Sequence, residues 1–238
     1  MSNNKRPLIL VTNDDGIDVR GLTALVGALD EKFEVYAVAP MEQQSAKSMA
    51  VTFLREVSVE KKEVPGAAEA YALDGTPVDC VRWAVDWFAE RDITFDYLFS
   101  GINLGANVGI AAYYSGTIGA AREGALAGIR SIALSVGTHK STHFEYICSL
   151  IPKLIEMADS LSPQTILSVN TPDLPPWEVR GLRIAEVAPS GYAEKYSFSL
   201  AGENEGRAAN EITWEQAVNY QLAQRSLDGK PSPGHSSE

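Results

Sequence analysis

Three short stretches bring oxygen-bearing side chains to the points where apolar runs stop. "LILVTNDDGID" drives an aliphatic run into Asn13, Asp14 and Asp15 and then turns on Gly16. "EVYAVA", residues 34–39, is followed by the polar loop "PMEQQSAKS", which carries Ser45 and Ser48. "FDYLF", residues 95–99, runs into Ser100, Gly101, Ile102 and Asn103, and then into "LGANVG" with Asn107. Adjacent carboxylates such as Asp14 and Asp15 repel each other, so a positive partner belongs beside them, either a lysine with solvent or a divalent cation. Carboxylate, hydroxyl and amide oxygens form a hard donor set that suits Mg²⁺ or Mn²⁺. Zinc usually takes sulfur or imidazole, and these stretches offer neither.

Each stretch also has a plain structural reading. Asp-Gly is a favoured turn pair, Asp18 suits a helix cap, Ser45 alone is a surface serine, and Asn103 alone is a loop former. "YYSGTIGAAREGALAG", residues 113–128, sets Ser115, Gly116 and Thr117 just ahead of a small-residue helix. A helix start of this kind is either capped by its own hydroxyls or binds phosphate through free N–H groups. In "ALDGTPVDC", Thr76 and Pro77 read as the cap and first residue of another helix. A common place at strand ends is what favours ligand binding, because an open α/β sheet forms its crevice beyond the carboxyl ends of its strands.

The elements that must position these residues alternate along the chain. Strands are predicted at residues 8–12, 34–39, 95–99, 132–136 and 165–169, with extended segments at 51–60 and 69–73. Helices are predicted at 21–29, 78–89, 117–128 and near 144–161. Alternation of this kind specifies a doubly wound, mostly parallel, three-layer α/β/α sheet. After "NTPDLPP" the pattern weakens: "RGLRIAEVA", residues 180–188, reads as one more strand, residues 213–226 as a helix, and the last ten residues as a disordered tail. The expectation is a single domain over 1–238, with a core at about 8–187, a divergent region at 188–228 and the tail at 229–238.

Composition narrows the function. With 20 basic and 31 acidic residues the net charge is -11, which argues against a nucleic-acid polymer or an anionic membrane surface as partner. The two cysteines, Cys80 and Cys148, have no metal-type spacing and suit a reducing, cytoplasmic setting. The polar lead of residues 1–6 is not an apolar signal segment, and no apolar run approaches membrane-spanning length. His139, His143 and His235 fit no nucleophile or metal spacing. There is no G-x-S-x-G elbow, no dinucleotide or Walker glycine pattern, and no D-x-D arrangement for an aspartyl-phosphate phosphatase.

"ILVTNDDGIDVRGLTALVGAL", "VAPMEQQSAKS", "LDGTPVDCV", "SGINLGANVG" and "YYSGTIGAAREGALAG" occur in the order found in the SurE family, which this chain resembles from about Leu8 to Pro176. The resemblance implies a Rossmann-like fold and a metal-dependent phosphatase acting on nucleoside 5′- or 3′-monophosphates. It implies one divalent cation per subunit, Mg²⁺ or Mn²⁺, on Asp14, Asp15, Ser45 and Asn103, with Asp14 and Asp15 also catalytic. On the substrate side it implies Asn13, Gly101, Asn107, Ser115, Gly116 and Thr117. A homodimer or a dimer-based homotetramer is expected. The chain departs from the family pattern at Ala46, where glycine is usual, at Glu42, where a basic residue is customary, and after Val187. A metal-dependent nucleotide-binding protein without turnover is the alternative reading.

Overall fold

The computed structural model describes residues 6–138, 140 and 143–188, together with the backbone of 193–200 and 206–213. Its main sheet has seven strands in the order β3-β4-β2-β1-β5-β6-β7. These are β1 (Leu8–Thr12), β2 (Glu34–Pro40), β3 (Val59–Lys62), β4 (Glu69–Leu73), β5 (Tyr97–Leu104), β6 (Arg130–Val136) and β7 (Leu167–Thr171). Only β3, at one edge, runs antiparallel to its neighbour. The crossover helices are α1 (Arg20–Leu29), α2 (Pro77–Ala89), α4 (Gly116–Leu126) and the consecutive pair α5 (Glu145–Ser149) and α6 (Ile151–Asp159). A single turn, α3 (Ala111–Tyr114), precedes α4.

Side-chain alternation explains the layering. Ile9 and Val11 face α1, α5 and α6, through Leu22, Leu25, Ile147 and Leu154. Leu8 and Leu10 face α2 and α4, through Val81, Phe88, Ile118 and Ala121. Both faces of the central strands are buried, which is why those strands read as unbroken aliphatic runs. The doubly wound, three-layer α/β/α expectation is met. The strand order reverses between β1 and β5, so the crevice expected of such a sheet opens at their carboxyl ends.

Several boundaries differ from the sequence expectation for identifiable reasons. β5 does not stop at Phe99. It continues through Leu104, with one extra residue opposite β6 between Ser100 and Asn103, so Asn103 lies on a bulged strand rather than in a loop. Gly101 makes the bulge possible: its φ is +140°, and a Cβ there would lie 2.4 Å from the Leu134 carbonyl oxygen. Only the end of the segment at 51–60 pairs as a strand, because Thr52 and Arg55 are drawn instead to Asp79 and Asp74. Residues 180–188 form no strand. Asp18 does not cap α1, whose cap position is Val19 without a side-chain bond. Thr76 does cap α2, in a reciprocal capping box with Asp79.

Two compact units divide the chain, one within Met1–Asn107 and Ala112–Ala185, the other within Val108–Ala111 and Glu186–Glu238. The first holds the seven-stranded sheet. The second contains an antiparallel pair, β8 (Ala193–Leu200) and β9 (Gly206–Thr213), which the sequence reading missed. The helix expected at 213–226 and the tail at 229–238 fall outside the described residues, apart from Thr213, which ends β9. Among the described residues no helix is long and apolar enough to cross a membrane.

The loop between β2 and β3 is irregular but held at intervals. The Ser48 amide donates to the Tyr114 carbonyl at 2.9 Å, and the Ser48 hydroxyl to the Tyr113 carbonyl at 2.8 Å. A Cβ on Gly119 would lie 2.1 Å from the Ser48 carbonyl oxygen, so the loop sits directly on α4. Gly119→Ala is therefore expected to push this loop, and Ser45 with it, away from the sheet. Overpacking of this kind costs about 1–3 kcal/mol, or roughly 2–10 °C in melting temperature for a chain of this size. An unchanged thermal melt in Gly119→Ala would contradict the seating.

Candidate active site

Asp14 and Asp15 follow β1 on a turn fixed by Asn13. The Asn13 amide donates to the Gly16 carbonyl at 2.8 Å and its Oδ1 accepts from the Gly16 N–H at 3.0 Å. Asn13 is fully buried with both ends of its amide engaged, so it shapes the turn on which the two acids sit. Backbone bonds zip this turn to the loop after β2: the Ile17 N–H donates to the Pro40 carbonyl at 3.0 Å, and the Gln44 N–H to the Asp14 carbonyl at 2.7 Å. These bonds bring Ser45 to the acidic pair.

Asp14 is only 4% exposed. Thr117 donates its hydroxyl to Asp14 Oδ1 at 2.5 Å. Gly116 packs against the same side chain, and a Cβ there would meet Asp14 Cβ at 2.9 Å. The carboxylate thus lies at the amino end of α4, where aligned peptide dipoles favour negative charge. Burial nevertheless dominates. It pushes the Asp14 carboxyl up to about 6, with the Asp15 charge adding to the rise and the Thr117 bond opposing it. Ser115 accepts the Ile118 N–H at 3.1 Å as the cap of α4. Ser115, Gly116 and Thr117 come together at the site, but two of them reach it through Asp14 and one serves the helix end. Capping and phosphate contact were the two readings for this segment, and the hydrogen bonds its side chains make are those of capping and of carboxylate support.

Asp15 is half-buried and more open. Its Oδ2 lies 3.4 Å from the Leu104 N–H, next to Asn103. Its Oδ1 lies 3.4 Å from the Gln43 amide nitrogen, which also donates to Ser45 Oγ at 3.0 Å. Asn103 donates its amide nitrogen to the Gly105 carbonyl at 2.7 Å, an arrangement that leaves Oδ1 as the donor atom for a ligand. Asn107 is fastened to the ends of β6 and β7: its side-chain nitrogen donates to Ser135 Oγ at 2.9 Å, and its backbone N–H to Asn170 Oδ1 at 2.7 Å. Gly101 contributes the backbone of the bulge and is buried.

This donor set fits a hard cation. Among the described residues no group of three or more His, Cys, Asp and Glu forms a metal site. Asp14, Asp15, the Ser45 hydroxyl and the Asn103 amide oxygen are all oxygen donors, a set that would suit a hard divalent cation. Two further hydroxyls, Thr12 Oγ1 and Ser100 Oγ, are buried without a protein partner on paired residues of β1 and β5, next to the site. A cavity of about 370 Å³ at the opposite end of these strands, lined by Arg6, Asp96 and Tyr97, holds none of this chemistry.

Sequence reasoning missed Gln43, Ser48 as the anchor of its loop, and the Leu104 N–H beside Asp15. Ser48 was marked as a polar loop residue; nothing in the loop's composition singled out Gln43.

The family profile described as Survival protein SurE matches residues 9–194. The chain belongs to the SurE family. Among SurE relatives, the 5′-nucleotidase SurE of Chlorobium chlorochromatii is 39% identical over 196 residues, spanning 82% of this chain and 71% of that protein. The 5′-nucleotidase SurE of Syntrophobacter fumaroxidans is 38% identical over 190 residues, spanning 79% and 75%. The crystal structure of the SurE protein from Aquifex aeolicus superposes with a TM-score of 0.73 at 28% identity, covering 90% of this chain and 88% of that one.

The position of Asp14 in this SurE fold makes stability depend on pH. Its folded pKa, about 6, lies above the ordinary aspartate value near 4, so folding favours the protonated acid. Below about pH 4 the group is neutral in both states and costs nothing. A penalty builds as pH rises from about 4 to 6 and stays on the order of 3 kcal/mol above that in the metal-free protein. Asp14→Asn should therefore melt higher than the natural chain at pH 8 in EDTA, with the gap closing by pH 4. Thermal scans across that range check it, and a variant that melts lower at pH 8 contradicts the assignment.

Proposed function

We propose that the chain is a phosphoric monoester hydrolase, a 5′-nucleotidase that requires a divalent cation and releases phosphate from nucleoside monophosphates. The observation that carries this reading is that Gln43 joins Asp15 to Ser45, and the Leu104 N–H beside Asn103 faces Asp15, at the carboxyl ends of the strands where the order reverses. The curated SurE relatives, which carry the name 5′-nucleotidase, support it.

In this reading Asp14 and Asp15 contribute the negative charges that hold Mg²⁺ or Mn²⁺, one per subunit, while Ser45 and Asn103 contribute neutral oxygens. When bound, the cation supplies charge that offsets the phosphoryl oxygens. The chain's own residues orient the reaction. Thr117 fixes one oxygen of Asp14, so that the other would face the cation. The water oxygen bonds to phosphorus, the ester P–O bond breaks, and the nucleoside leaves with its bond electrons and a proton. Asn107 and the amino end of α4 border the phosphate, and Gly101 keeps the β5 backbone close enough for Asn103 to reach it. Asn103 is neutral, so it adds an oxygen without adding repulsion toward the phosphate.

Cys80 and Cys148 are both free thiols, which fits the cytoplasm, and the assembly is a homodimer or a dimer-based tetramer. The rival is a metal-dependent nucleotide binder without turnover. It draws support from Ala46, an alanine at φ +60° beside Ser45 where the family usually has glycine.

Inorganic phosphate release over a nucleotide panel, with Mn²⁺, with Mg²⁺ and with EDTA, separates the two. Turnover that depends on the cation is expected. In Asp15→Asn the fold should persist, Mn²⁺ affinity should fall and turnover should be lost. Calorimetric Mn²⁺ binding at natural strength in that variant would sink the ligand assignment. A protein that binds Mn²⁺ but releases no phosphate from any nucleotide is the binder.

A further inference from the structure

Gln43 is an exposed loop residue whose side chain contacts two of the four proposed ligands. Its amide nitrogen carries two hydrogens. One points at Ser45 Oγ, 3.0 Å away, and the other toward Asp15 Oδ1, 3.4 Å away. Asp15, as an acceptor, fixes which end of the amide faces the site. The loop backbone holds Gln43 in place, because the next residue, Gln44, donates its N–H to the Asp14 carbonyl. Without such a partner the Ser45 hydroxyl, exposed on a loop, would rotate freely, and the cation would have to bear the entropy of ordering it.

We propose that Gln43 is a positioning residue that holds the Ser45 hydroxyl and the Asp15 carboxylate in register for the cation. The inference rests on reading the site as a metal centre. Each Gln43 bond takes up one lone pair of its partner. Held in this way, the Ser45 hydroxyl and the Asp15 carboxylate would meet the ion from a fixed direction. Outer partners of metal ligands act in this way, and losing one typically costs about 10–100-fold in metal affinity or activity.

The test is Mn²⁺ affinity by calorimetry in the full chain, read beside the thermal melt. Gln43→Ala should keep the melt of the metal-free protein and bind Mn²⁺ roughly tenfold more weakly. Gln43→Asn, one methylene shorter, keeps the amide but cannot span both oxygens, so it should fall between. In a Ser45→Ala background, Gln43→Ala should cost less than it does alone, because one of its two partners is already gone. A residue that merely filled the loop would shift the melt and show no such coupling. If the natural protein binds Mn²⁺ and Gln43→Ala binds it equally well, the positioning role is refuted while the metal centre stands. If the natural protein binds no Mn²⁺, both fall together.

Discussion

Asp14 carries a carboxylate almost wholly removed from water, and the next residue in the chain is a second acid. A buried charge needs partners or it takes up a proton, and a like charge beside it presses in the same direction. Much of the surrounding structure responds to that one constraint. Thr117 comes from more than one hundred residues away in sequence to donate a hydroxyl, and α4 presents its amino end, with Gly116 as the contact that allows the approach. These partners lower the cost of ionising Asp14 but do not remove it, because its pKa remains raised. A centre left short of positive charge in this way is prepared for a cation. The same burial that destabilises the bare fold is what gives a small ion a reason to bind.

The loop between β2 and β3 shows how irregular backbone is made definite. Ala46, Ser48 and Leu54 all adopt positive φ, a conformation that disfavours side chains and persists only where the surroundings fix it. The fixing is visible at short intervals: Gln44 on Asp14, Ser48 on Tyr113 and Tyr114, Thr76 on the Ala50 carbonyl, Thr52 on Asp79, and Arg55 on Asp74. The Asp79 carboxyl, held below its usual range by hydrogen bonds from Thr52 and Thr76 despite the opposing burial, closes the capping box of α2 and clamps the loop at once.

What the sequence disclosed, and what it hid, follows from the kind of signal each feature leaves. β1 was legible to the residue, because a strand buried on both faces is an unbroken apolar run with polar ends. β5 was cut short, because Ser100 and Gly101 interrupt its apolar run while its backbone goes on pairing with β6. The rim of strand ends was legible as a whole, since Asp14, Asp15, Ser45 and Asn103 each follow or end a strand-like segment. The work of individual residues was not. That Asn13 also closes a turn and Thr117 also supports a carboxylate depends on which atoms lie within hydrogen-bonding reach, which the sequence does not show. Gln43 left no trace, because a glutamine in a polar loop has neither periodicity nor special geometry.

The sequence distance between Thr117 and Asp14 bears on how the protein assembles. The site draws on residues 14, 15, 45, 103 and 117, so it is completed only when the crossovers on both sides of β1 have docked. Contacts this far apart form slowly, because loop closure must precede any return from them. A partly folded chain with either half undocked lacks ligands and gains nothing from the ion. A cation held by these residues would be coupled to completion of the fold, because it would bind the native state and not its precursors. Such a centre would double as a chemical latch that closes on the finished topology and ignores its precursors.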